Sequence, residues 1–305
     1  MEVKVELLVD GRHATGESPV WRAEENALFW VDIPARRIWR WQAHGASLVH
    51  WLLPEQVACI APAAGGRWIC GLESGVALAT LAPEGGAAQL QWLARVQHPL
   101  AQMRFNDGRC DRQGRFRAGT MFQDMAAARA VGTVYGLDAE SAPDLQPLHT
   151  GLLTPNGMAF SPDGRTMYLS DSHPQSQQIW QFDYDPQDGT MSGQRLFVDM
   201  RQHPGRPDGA AVDEDGGYWI CANDAGLLLR FTPQGRLDRS IAVPVSKPAM
   251  CAFGGAGLDT LFVTSIRLPG TPQDSPAGGV FALRPGTRGI AETEFPARAA
   301  TPAAR

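Results

Sequence analysis

The chain has 305 residues, with 27 Lys and Arg set against 32 Asp and Glu, for a net charge of −5. That balance argues against a nucleic-acid protein, which shows a clustered basic excess, and 19% charged residues with 9 Trp and 12 Phe argue against disorder. The 33 Gly and 23 Pro are too many for a helical bundle and point to β-structure with many turns.

Length alone allows about two domains. The N-terminal Met1-Glu2-Val3-Lys4-Val5-Glu6 alternates charge with Val and lacks the apolar stretch of a signal peptide. No run of about 18 apolar residues follows. The expectation is a cytoplasmic protein with neither membrane nor nucleic-acid partners. Cys59, Cys70, Cys110, Cys221 and Cys251 are scattered, without a Cys-x-x-Cys pair, so they signal neither a zinc cage nor a disulfide framework.

Short strand-like runs then recur, each behind a turn-rich stretch. They are Leu28–Asp32, Arg67–Gly71, Arg115–Gly119, Met167–Asp171, Tyr218–Ala222 and Leu261–Ser265. One aromatic column runs through all six: Phe29, Trp68, Phe116, Tyr168, Trp219 and Phe262, with a mean step of about 47 residues. Turns such as Ser161-Pro162-Asp163-Gly164 and Asp213-Glu214-Asp215-Gly216 stand just before the aromatic positions. Further strands follow them, as in Ile38–Trp41, Thr133–Leu137, Ile179–Phe182, Leu227–Phe231 and Gly279–Leu283. Repeats of this length built from about four strands are the signature of a β-propeller. Six of them predict an all-β, six-bladed β-propeller as a single domain over 1–305, with a pair of β-sandwiches as the competing architecture. Val3–Leu8 is expected to close the ring against the last blade. Beyond Arg284 the chain is rich in Ala, Pro and Arg, and order is expected no further than the region of Phe295, with a loose tail over about 296–305.

A second column lies 10 to 12 residues before the aromatic one: Glu17, Gln56, Asn106, Asn156 and Asp208. Blade six breaks it with Pro248-Ala249-Met250-Cys251, although Lys247 lies close by. The innermost strand of a propeller blade lines the central channel, so these side chains converge on the axis. Carboxylates and amide oxygens together make a hard-cation site, suited to Ca²⁺, Mg²⁺ or Mn²⁺, with Zn²⁺ also possible. Singly, each has a blander explanation. Asn156-Gly157 and Asp208-Gly209 read as turns, Glu17 and Arg104 as solvated charges, and Gln56 as structural. His173, in Asp171-Ser172-His173-Pro174, is close enough in sequence to reach the rim, though a surface turn explains it as well. No Gly-x-Ser-x-Gly elbow, phosphate-binding loop or His-Glu-x-x-His is present, so a hydrolase on this chain would depend on a metal.

The segments Gly16–Trp21, Arg104–Gly108, Gly119–Met121, Pro155–Gly157, Phe160–Gly164, Pro207–Gly209 and Phe253–Gly255 resemble the SMP-30/gluconolactonase/regucalcin-like family of metal-dependent sugar lactonases. The resemblance runs from about Glu17 to Leu283 and implies a six-bladed propeller. It also implies one divalent metal ion held by Glu17, Asn156 and Asp208, with Arg104 and Asn106 as the substrate-binding pair and Asn106 able to approach the metal. Asp124 falls where the family carries a further acidic substrate contact, commonly a Glu. The expected reaction is hydrolysis of a sugar lactone to its aldonic acid, with Asp208 as general base. A promiscuous metal-dependent esterase or organophosphate hydrolase, and a non-catalytic calcium-binding propeller, are the alternatives.

Overall fold

The computed structural model describes residues 3–139 and 144–296. Six sheets, antiparallel but for the short Gly86–Ala87 strand that adds parallel to the edge of the first, follow one another along the chain, each built outward from the axis. The innermost strands are Gly16–Arg22, Val57–Ala63, Met103–Cys110, Pro155–Phe160, Arg206–Val212 and Pro248–Gly254. Each packs against the innermost strand of the next blade, and the last packs against the first, so the ring closes. Closure also joins the two ends of the chain by strand pairing. Val5–Val9 forms the outermost strand of blade six by pairing with Val280–Leu283, which ties the two ends of the chain into one sheet. The six-bladed propeller expected from the repeats is therefore the fold.

The aromatic column occupies the second strand of every blade, and all six rings are buried. A blade exposes two apolar faces, and these rings cover them from blade to blade. Phe29 of blade one meets Trp68 of blade two at 4.4 Å between centroids. Tyr168 of blade four meets Tyr218 of blade five at 4.9 Å, and Phe262 of blade six stacks on Trp21 of blade one at 5.5 Å. Such pairs contribute about 0.5–1.5 kcal/mol each beyond the area they bury. The five cysteines are buried in innermost and second strands, where they act as small apolar residues.

The far end of the channel is covered by the C-terminal stretch. Gly289 bridges Asp213 of blade five, Glu294 reaches Arg22 of blade one, and Phe295 pairs with Ala63 of blade two. Phe295 is fully buried; the tail expected to be loose lies, beyond Pro296, outside the described residues. No helix among the described residues is long and apolar enough to cross a membrane.

Candidate active site

At the opposite end, where the innermost strands begin, a cavity of about 230 Å³ opens on the axis. Glu17, Arg104, Asn106, Asn156 and Asp208 all line it. What brings them there is a break in strand register at the same level of each blade. Pairing with the second strand is interrupted between Glu17 and Val20, Phe105 and Gly108, Asn156 and Ala159, and Pro207 and Ala210. A β-bulge bends its strand and re-aims the side chain at the break. Ser18 and Gly157 take positive φ, 49° and 58°, to make the bend. Gly157 also leaves room for Tyr218, whose Oη donates to the Gly157 carbonyl at 2.7 Å; a Cβ there would lie 2.6 Å from that oxygen. Asn156-Gly157 and Asp208-Gly209 are therefore mid-strand bulges, not the turns that each dipeptide suggests alone.

Asp208 is the centre of the polar network and is only 7% exposed. Its Oδ1 accepts from Asn156 Nδ2 at 2.5 Å and its Oδ2 from Asn223 Nδ2 at 2.6 Å. Asn156 Nδ2 also donates to Ser172 Oγ at 3.1 Å, while its Oδ1 accepts from Gly157 N–H at 3.2 Å. Burial raises the proton affinity of Asp208; the Arg206 guanidinium and the two amides oppose it, and the balance stands at about 7. Burial, then the nearby Asp208 and Asp107 carboxylates, push the Glu17 carboxyl well above its usual range. Across the cavity, Arg104 Nη1 donates to the Asn106 side-chain oxygen and to the Phe105 carbonyl, both at 2.7 Å. Burial pulls the Arg104 guanidinium down to about 10, so it remains charged at neutral pH.

The donor set is compatible with a hard cation. Two carboxylates are drawn into a poorly solvated site where each raises its hold on protons, the electrostatic condition a bound cation relieves. Among the described residues no three His, Cys, Asp or Glu side chains form a metal-binding group, so a cation here needs further oxygen donors beside the carboxylates, which the Asn156 amide can supply. Asn156 presents Nδ2 to Asp208 here; to ligate through Oδ1 its amide must turn over.

The remaining residues singled out from the sequence fall elsewhere. Asp124 is exposed and caps the short 3₁₀ turn Met125–Ala127, accepting from Ala126 N–H and Ala127 N–H; it is not brought to the cavity wall. His173 is buried, not a surface turn, and its Nε2 bonds the Met125 carbonyl at 2.9 Å. Gln56 reaches Gln123 at 3.3 Å, outside the cavity lining. Lys247 does line the cavity. Sequence reasoning missed Asn223 and Arg206. They face each other across blade five, because the register pairs the first residue of the innermost strand with the last of the second. A search confined to innermost-strand positions two or three residues further along passes over both.

Comparison with known proteins agrees with this architecture. The family described as SMP-30/Gluconolactonase/LRE-like region matches residues 15–267. A 6-deoxy-6-sulfogluconolactonase of Pseudomonas putida is 37% identical, over 92% of this chain and 94% of the relative. An L-arabinolactonase of Azospirillum brasilense is 35% identical, over 95% and 94%, and regucalcin of Sus scrofa is 32% identical, over 92% and 94%. Among solved structures, a luciferin-regenerating enzyme superposes with a TM-score of 0.89 at 27% identity, covering 96% of this chain and 99% of that one. On sequence and fold together, the chain belongs to the SMP-30/gluconolactonase/LRE-like family.

Proposed function

We propose that the protein hydrolyses a sugar lactone to the corresponding aldonic acid, with a divalent cation held by Glu17, Asn156 and Asp208. The observation that carries this reading is the pairing, within one cavity, of the buried Asp208 and Glu17 carboxylates with the Arg104–Asn106 hydrogen-bonded pair. Two relatives at 35% and 37% identity are named as sugar lactonases, which supports the same substrate class.

Lactone hydrolysis requires a water to lose a proton as it attacks the carbonyl carbon, and the ring oxygen to gain one as it leaves. Asp208 has a carboxylate oxygen available for both transfers. It accepts the water proton while the water oxygen bonds to the carbonyl carbon. The ring C–O bond then breaks and the proton passes from Asp208 to the departing oxygen, leaving a hydroxy acid. Asn223 holds the carboxylate in place through its bond to Oδ2, while Asn156, which bonds Oδ1 here, would turn its amide oxygen toward the cation. Arg104 and Asn106 bind substrate oxygens and hold the ring against the axis. A divalent ion such as Ca²⁺, Mg²⁺, Mn²⁺ or Zn²⁺, when bound, supplies Lewis-acid polarisation of the lactone carbonyl.

The test is to strip the protein with a chelator, restore ions one at a time, and follow acid release from five- and six-carbon aldonolactones. Activity lost with the ion and regained with one of them is the expected result. Full activity after proven metal loss, or in a folded Asp208→Ala variant, overturns the mechanism.

A further inference from the structure

The wall of the cavity on the blade five side carries two cations, Arg206 and Lys247, to which the hydrolytic steps above assign no role. Arg206 Nε bonds Asp224 Oδ2 at 2.6 Å, and its Nη1 bonds the Ser172 carbonyl at 3.1 Å. Lys247 bonds the other oxygen of the same Asp224, and also reaches Asn223 Oδ1 at 3.4 Å. One carboxylate thus serves two cations, while Arg206 also acts on the nearby buried Asp208 carboxylate. Both cations line the cavity and remain partly open to it, with side chains 24% and 19% exposed. Asp224, itself exposed, anchors both and is not among the residues that line the cavity. Arg206 Nη2 makes no hydrogen bond to the described residues, so one arm of its fork is available to a ligand.

Position gives this charge its meaning. Arg206 begins the innermost strand of blade five, two residues before Asp208. Two residues along a strand span about 6.6 Å, comparable to a sugar ring with its exocyclic carbon. A substrate whose carbonyl lies at Asp208 and whose ring extends toward the start of this strand has its far end beside Arg206 and Lys247. A neutral hydroxyl there gives the two cations little to bind, whereas an anionic oxygen group accepts a charge-assisted fork from Arg206 and a point charge from Lys247.

Resting on the lactonase reading, we propose that Arg206 and Lys247, anchored by Asp224, form an anion subsite that selects aldonolactones bearing a carboxylate, sulfonate or phosphate on the carbon farthest from the lactone carbonyl. The subsite binds this group before, during and after ring opening, so its contribution appears in substrate selection and in product binding alike.

The experiment measures kcat/KM on six-carbon aldonolactones that differ at C6, carrying hydroxyl, carboxylate, sulfonate or phosphate. The ring-opened acids, gluconate and its C6-sulfonate, are then titrated by calorimetry into metal-loaded and metal-stripped protein. The wild-type protein is expected to prefer an anionic lactone at least ten-fold, with the preference shrinking as salt rises. Arg206→Met and Lys247→Met are each expected to cut the anionic-to-neutral ratio of kcat/KM by about ten-fold, and Arg206→Lys to restore part of it. The ratio cancels any general loss of activity or folded fraction that a variant suffers. The relative rates of the three anionic lactones identify which group the subsite serves. A wild-type ratio near one, or variants that lose both lactones equally, overturns the subsite. Absence of lactone turnover with tighter, Arg206-dependent binding of the sulfonate acid overturns the lactonase reading and supports the subsite.

Discussion

Blades one, three, four and five differ from blades two and six at one level of the innermost strand. All six carry a break in register there, between Val57 and Cys59 in blade two and between Pro248 and Cys251 in blade six, as in the four described above. In four blades the break presents Glu17, Asn106, Asn156 or Asp208 to the cavity. In the other two it presents Ala58 and the pair Ala249–Met250, which are buried. Met250 sits so close to Gly209 that a Cβ on that glycine would lie 2.3 Å from its Cγ. The backbone device is common to the ring, and the chemistry is set by which blades place polar atoms on it. Four blades give up apolar packing at the axis, and two restore it.

The largest expected effect separates these two groups. Asp208→Ala should lower lactone hydrolysis by about 10²–10⁴-fold. Its metal-free form should melt no lower than the wild type at pH 8, because the substitution removes a buried carboxylate. Met250→Ala should do the reverse, with stability falling by about 2–5 kcal/mol and activity per folded molecule staying within about ten-fold. Denaturant melts beside steady-state kinetics read both. An Asp208→Ala protein that retains activity, or a Met250→Ala protein of unchanged stability, would erase the distinction.

A smaller effect sharpens it through pH. In the metal-free protein the folded-state pKa of Asp208 is raised from 3.8 to about 7, and that of Glu17 is raised as well. Between the unfolded and folded values the native state holds protons that the unfolded chain has released, so stability falls as pH rises through this window. The chelator-treated protein should therefore melt higher at pH 5 than at pH 8, and Asp208→Asn should flatten the slope. Because cation and proton compete for the same carboxylates, cation affinity should rise over the same interval. Calorimetric titration at pH 5.5, 7 and 8 measures it, and affinity that is independent of pH would remove Glu17 and Asp208 from the ligand set.

Much of this contrast is legible in the sequence because strands impose regular spacing. Six buried rings one blade apart, and polar residues 10 to 12 positions ahead of them, fix blade count and channel level together. The bulges are less legible, since Asn-Gly and Asp-Gly are also ordinary turn dipeptides, and only the strand pairing on both sides tells the two apart. Asn223 and Arg206 are less legible still. Asn223 owes its place to cross-strand register in blade five, and Arg206 lies two residues off the polar column. The C-terminal cover is also tertiary in origin. Nothing in its composition announces that Phe295 inserts beside Ala63 at the far end of the channel.

The smallest expected effect concerns Asp124, the residue for which the family resemblance and the geometry point in different directions. The resemblance implies a substrate contact, whereas here its carboxylate accepts from Ala126 N–H and Ala127 N–H at 3.1 and 3.3 Å and stands exposed. A cap of this kind contributes about 1 kcal/mol or less at an exposed site. Asp124→Ala should therefore cost little stability and leave KM for a neutral lactone within about two-fold, and Asp124→Asn, which keeps the capping oxygen, should match the wild type in both. If KM instead rises ten-fold in the alanine and asparagine variants alike, the carboxylate reaches substrate. Met125–Ala127 must then shift toward the cavity when substrate binds. The loop is already tied to the cavity wall, since Thr154, which lines it, donates through Oγ1 to Met125 Sδ at 3.2 Å. A Thr154→Val variant, which keeps the shape and removes that donor, then separates the two cases. It leaves KM unchanged if Asp124 is only a cap, and raises KM along with the Asp124 variants if the loop carries Asp124 to the substrate.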